Sequence, residues 1–146
     1  MPQIQRSAIV ARSARVLYEL VADVERYPQR FGWCKSATVE PVDALQVEAT
    51  LSVGFAGMNA AFTTRNRMTP HERIDLAFAA GPFRSLSGAW TFRALGEHGC
   101  RIGLQLDFEV SSRYLGTALA TGVQGLADRM VDDFVRAALA AAPIPS

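Results

Sequence analysis

Two cysteines, two histidines and an almost even balance of charge leave this 146-residue chain little to offer the commonest protein chemistries. Cys34 and Cys100 stand far apart, in no CxxC pair and beside no histidine cluster, so their spacing points to no metal site. They read as free thiols in a cytoplasmic setting. His71 and His98 fall in the turn-like stretches Thr69-Pro70-His71-Glu72 and Gly96-Glu97-His98-Gly99, and read as surface turn residues. No Ser-His-Asp set and no phosphate-binding glycine loop is present. Fifteen basic and fourteen acidic side chains give a net charge of +1, without the basic excess of a protein that grips phosphate backbones; DNA is not an expected partner. No run reaches the ~18 apolar residues that span a bilayer. Gln3, Gln5 and Arg6 break up the first ten residues, which therefore lack the apolar block of a signal peptide. The expected location is cytoplasmic, with peripheral contact at the inner membrane left open.

What is present is core. Hydrophobic residues make up 49% of the chain and charged residues 20%, and a chain of this length hides roughly 70% of its unfolded surface on folding. One domain is expected over residues 1–141. A flexible tail is expected over 142–146, where Pro143 and Pro145 interrupt any helix.

The middle of the chain alternates. Leu45, Val47, Ala49, Leu51 and Val53 take odd positions, with Gln46, Glu48, Thr50 and Ser52 between them, as in a strand with one wet face. Met58, Ala60, Phe62, Thr64, Asn66 and Met68 share the next face, then Ile74, Leu76 and Phe78, then Leu86, Gly88, Trp90 and Phe92. The last alternating run is Cys100, Ile102, Leu104, Leu106, Phe108 and Val110. Short turn signals such as Gly54 to Gly57, Thr69-Pro70 and Gly81-Pro82 separate these runs, which predicts antiparallel hairpins. Two further strands near Gln3 to Val10 and Cys34 to Glu40 bring the count to about seven.

Two helices flank the strands. Ser13 is an N-cap for a helix over Ala14 to Val24, and Pro28 ends that region. A long helix is predicted over Tyr114 to Leu139, with Leu115, Leu119, Val123, Leu126, Met130 and Phe134 in one stripe. This helix contains Gly116, Gly122 and Gly125, each costing up to about 1 kcal/mol against alanine. Such a cost points either to tight packing on the sheet or to room left for a ligand. Thr64 and Asn66 are a second oddity: two polar residues on the apolar face of their strand. A few polar groups in an apolar cavity are what a small-molecule site looks like. For Asn66 the reading here is a place near the open end of the sheet, in reach of water.

The words on this layout are more specific. Asp23-Val24-Glu25-Arg26-Tyr27-Pro28 followed by Trp33-Cys34, then Thr63-Thr64-Arg65-Asn66, then Gly81-Pro82-Phe83-Arg84 with Leu86, Gly88, Trp90 and Phe92, then Cys100-Arg101-Ile102 with Leu106-Asp107-Phe108-Glu109, resemble in order the motifs of the coenzyme Q-binding family of START-like domains, within the polyketide cyclase/dehydrase-like superfamily. The resemblance runs from about Pro2 to Leu139 and is strongest to the bacterial branch known as ribosome-association toxins. One departure is Gln29-Arg30-Phe31-Gly32-Trp33-Cys34, where the family often has a proline after an apolar pair. The resemblance implies the helix-grip fold, an α+β plan in which a curved antiparallel sheet of about seven strands wraps a long C-terminal helix.

It also implies a function: non-catalytic binding of ubiquinone or a similar prenyl lipid between sheet and helix, in support of respiratory electron transport, with no cofactor required. Phe62, Thr64, Phe78, Trp90, Leu119, Gly122 and Val123 are the expected lining, and Tyr27, Trp33 and Phe83 are expected near the entrance. The alternative is a ribosome-association toxin that blocks subunit joining, with the ribosome as partner and Arg65, Arg67, Arg93 and Arg101 on the outer face of the sheet. A polyketide cyclase-like enzyme is a third reading. It would need an acid or base aimed inward, and Arg129 is the one charged residue that the pattern lets reach there.

Overall fold

A computed structural model describes residues 3–55, 58–110 and 116–140. Its elements follow in the order β1 (Gln3–Val10), α1 (Ala14–Ala22), a 3₁₀ turn (Val24–Arg26), α2 (Tyr27–Arg30), β2 (Cys34–Asp43), β3 (Gln46–Phe55), β4 (Met58–Thr69), β5 (Arg73–Ala80), β6 (Phe83–Ala94), β7 (Cys100–Val110) and α3 (Gly116–Ala140). The seven strands make one antiparallel sheet in the order β1-β7-β6-β5-β4-β3-β2. From β2 to β7 each strand pairs with its chain neighbour, while β1 crosses over to close the far edge against β7. This is the expected α+β plan.

Alternation decides which face is which. Val47, Asn66, Leu76, Gly88, Leu106 and Ile4 are cross-strand partners in a single row from β3 to β1. Met68, Ile74, Trp90, Leu104 and Arg6 form the row beside it. Both rows face α3, which packs over β1, β7 and α1. At the sheet's edge the inward Arg6 meets Asp128 and Asp132 of that helix, at 3.2 and 3.3 Å.

Ser13 caps α1 as expected, its hydroxyl accepting from the Val16 N–H. Pro28 departs from expectation. It opens the turn of α2 rather than ending a helix, because a proline in the first turn gives up an N–H that has no partner there anyway. The α1 helix itself stops at Ala22, and Val24 belongs to the 3₁₀ turn. The expected start of the long helix at Tyr114 and Leu115, and the expected tail over 142–146, lie outside the described residues.

Two glycines are needed for their shape. Gly81, in the turn before β6, has φ +141°, and a Cβ there would stand 2.8 Å from Cβ of Phe62. A Cβ on Gly88 would come within 2.0 Å of the Gln105 carbonyl oxygen, so this glycine lets β6 and β7 approach closely.

Candidate functional site

Between the concave face of the sheet and α3 lies an apolar cavity of about 100 Å³. That is below the about 300–1,000 Å³ of small-molecule sites, so a ligand of ordinary size needs the helix and sheet to part. Strand β3 contributes Val47, Ala49, Leu51 and Val53, and β4 contributes Ala60, Phe62, Thr64, Asn66 and Met68. Helix α3 offers Val123, Leu126, Ala127 and Met130 at steps of three and four, the spacing that puts them on one stripe. Val21, Ala22 and Val24 close the side nearest α1.

Every described residue of this lining is apolar except Thr64 and Asn66. Both are buried, at 7% and 6% exposure. The Thr64 hydroxyl donates to Asn66 Oδ1 at 2.7 Å. Beside them the pairing of β4 with β5 slips between Thr63 and Thr64. Such bulges re-aim side chains next to sites. The open-end place expected for Asn66 is therefore corrected: its even position and its row between Val47 and Leu76 put it under the helix, on the cavity wall. No acid, base, histidine or thiol lines the cavity among the described residues. Arg129, read as reaching inward, instead stays half exposed, its Nε 3.2 Å from Asp133 Oδ2.

Of the residues expected to hold a ligand, Phe62, Thr64, Phe83, Trp90 and Val123 line the cavity. Phe83, expected at the entrance, is buried, and its ring meets those of Phe62, Phe78 and Phe108 edge-on at 5.9–6.1 Å. Phe78 stands behind it, half-buried and outside the lining. Gly122 is buried beside this stripe but is not part of the lining, to which α3 gives Val123, Leu126, Ala127 and Met130. The side chain of Leu119 lies outside the described residues.

Tyr27 and Trp33 require a correction of place. They are 3% and 4% exposed and belong to an aromatic cluster with Phe31 and Phe134, not to the cavity mouth. Phe31 stacks on Trp33 at 5.1 Å, and the Trp33 indole N–H donates to Asp133 Oδ2 at 3.0 Å. The Tyr27 hydroxyl donates to the Val21 carbonyl. Burial pushes the Tyr27 phenol well above its ordinary range. With both polar tips satisfied inside, nothing draws these rings to the surface.

Sequence reasoning missed Val21, Val24, Leu86 and Met130 as lining. Their apolar periodicity was legible, but not which neighbour each would face.

Of the outer-face arginines, Arg65 pairs with Glu48 at 2.7 Å. Arg93 and Arg101 are direct cross-strand partners on β6 and β7, both exposed, with no ion pair among the described residues.

Comparison with known proteins adds the following. The family described as polyketide cyclase / dehydrase and lipid transport matches residues 10–135. A ribosome association toxin, RatA, of Escherichia coli strain K12 is 39% identical over 92% of this chain and 85% of its own length. The mitochondrial coenzyme Q-binding protein coq10 of Schizosaccharomyces pombe is 26% identical over 84% of this chain and 77% of its own. Among solved structures, the ZhuI aromatase/cyclase from Streptomyces sp. R1128 superposes with a TM-score of 0.87 at 18% identity, covering 98% of this chain and 99% of the other, which shows a shared fold.

Proposed function

The chain belongs to the polyketide cyclase / dehydrase and lipid transport family, and from that premise we propose that it binds a prenyl quinone such as ubiquinone, or a related prenyl lipid, in the cavity under α3 without acting on it chemically. One observation carries this reading: an apolar cavity between sheet and helix whose lining holds two polar side chains and no titratable one among the described residues. Affinity would come from covering an isoprenoid tail, at about 25 cal/mol per Å² of apolar surface less the cost of association. Proton transfer needs a titratable group within reach of substrate, and the described lining supplies none, which favours carrying over catalysis. Likeness to a coenzyme Q-binding protein supports a quinone as cargo.

Extraction of the protein, purified without detergent from quinone-making cells, tests this directly. Mass spectrometry of the organic extract is expected to find a near-stoichiometric prenyl quinone or prenyl lipid. An empty extract, together with no uptake of added quinone, would sink the reading.

A second reading is favoured by the 39% identity to a ribosome association toxin: that the outer face of the sheet meets the ribosome through Arg93 and Arg101. It does not compete for the cavity. Salt-dependent co-sedimentation with ribosomes, lost in an Arg93→Glu, Arg101→Glu variant, is the expected result; no co-sedimentation at any salt would end it.

A further inference from the structure

The polar pair in the cavity wall is asymmetric. Asn66 accepts from Thr64 through Oδ1, and its amide nitrogen, with two N–H donors, has no acceptor among the described residues. This side chain is 6% exposed and lines the cavity. Its cross-strand partners, Val47 and Leu76, are apolar. This nitrogen is not sealed in the wall, since Arg12 Nε is the described fully buried side-chain N or O atom without a partner; it opens onto the cavity, whose apolar walls offer it no acceptor.

Resting on the cavity-binding reading above, we propose that Asn66 is the anchor that sets ligand specificity: its amide donates to an acceptor oxygen, of the carbonyl or ether class, on the ligand's head group. Thr64 is the positioning residue. By occupying Oδ1 it turns the amide so that the nitrogen, not the oxygen, is presented to the cavity. The cavity then selects among apolar molecules. A prenylated ring with a ketone or quinone oxygen is held head group inward. A plain hydrocarbon of equal size leaves the donors unpaired, and a site built to hydrogen-bond its ligand rejects an analogue lacking the partner group.

The test titrates the whole protein with two probes, a short-chain prenylated 1,4-benzoquinone and a prenyl hydrocarbon of matched length, in wild type, Asn66→Leu and Thr64→Val. Wild type is expected to favour the quinone by about tenfold or more beyond the difference in aqueous solubility, the worth of one buried hydrogen bond with its unpaired alternative. Asn66→Leu is expected to bind both probes equally. Thr64→Val is expected to keep hydrocarbon binding and lose part of the preference. The carbonyl stretch of bound quinone should fall below its position in cyclohexane in wild type and return to it in Asn66→Leu. That readout would not move if Asn66 were merely structural. If Asn66→Leu does not fold, the wild-type preference and carbonyl frequency decide alone. Equal affinity for both probes in wild type, with an unshifted carbonyl, would overturn the anchor while leaving the cavity reading intact. Binding of neither probe would overturn both.

Discussion

Two acidic contacts on α3 look alike on paper and differ in worth. Asp133 is 7% exposed and holds the Trp33 indole N–H, with Arg129 and Arg136 completing its shell at 3.2 and 3.0 Å. Removing it strands a buried donor, so Asp133→Ala is expected to cost about 3 kcal/mol in urea unfolding, and Asp133→Asn, which keeps an acceptor, distinctly less. The Arg6 pairs with Asp128 and Asp132 are partly open to solvent, with Arg6 at 39% side-chain exposure. Arg6→Ala is expected to cost no more than about 1 kcal/mol. Equal losses for Asp133→Ala and Arg6→Ala would contradict this ranking. Tyr27 carries a pH signature. Burial is the main cause that raises its pKa above the ordinary 10.0, with Cys34 and Asp23 adding to it and Arg30 opposing. A phenol raised in the folded state stabilises the fold fully below its unfolded pKa, and that contribution is lost as pH climbs past it. Burial likewise raises the thiols of Cys34 and Cys100 above their ordinary 9.0. Stability is thus expected to fall from about pH 9 upward, with Tyr27→Phe losing about 1 kcal/mol at neutral pH but declining less steeply beyond about pH 10. A Tyr27→Phe profile parallel to wild type would show that the phenol is not responsible. Sequence could not place these residues. Tyr27 and Trp33 stood next to a familiar motif, and only the partner on α3, a hundred positions away, shows that they are core.

At the scale of elements the sheet was the most legible part, because one-sided alternation fixes both the strand and the face it buries. It put Phe62, Thr64 and Trp90 on the cavity side, where they stand. Helix α3 was harder. Its leucine-rich stripe was evident, yet a helix with neighbours on several sides uses more than one stripe: Val123, Leu126, Ala127 and Met130 face the cavity, whereas Val131, Phe134 and Ala138 are fully buried elsewhere. The glycine side, a candidate for ligand room, contributes no lining residue at Gly122. In the strands, by contrast, Gly88 has a definite job. Gly88→Ala would press a Cβ into the Gln105 carbonyl, so a loss above about 2 kcal/mol is expected from thermal or urea unfolding. Gly32, where a Cβ meets nothing within 4 Å, serves as the control: Gly32→Ala should stay within about 0.5 kcal/mol. A Gly88→Ala protein as stable as the control would show that β6 and β7 can separate freely.

For the whole molecule, the central claim is that the space under α3 is a binding site and not slack packing. The sheet curves around it, the helix covers it, and Thr64 and Asn66 set a polar pair in its wall. No described helix is long and apolar enough to cross a membrane. Motif order made the family legible before any coordinates, but the cargo is not written in it, since relatives of this fold carry names as different as toxin, quinone-binding protein and aromatase/cyclase. The direct measurement is quenching of tryptophan fluorescence by a prenylated benzoquinone, with Trp90 in the cavity wall as reporter, in wild type and in Ala127→Phe, whose added ring fills the cavity from the helix side. The account predicts saturable, one-to-one quenching in wild type and its loss in an Ala127→Phe protein that keeps its circular dichroism. Equal quenching in both, or quenching in wild type that never saturates, would contradict it.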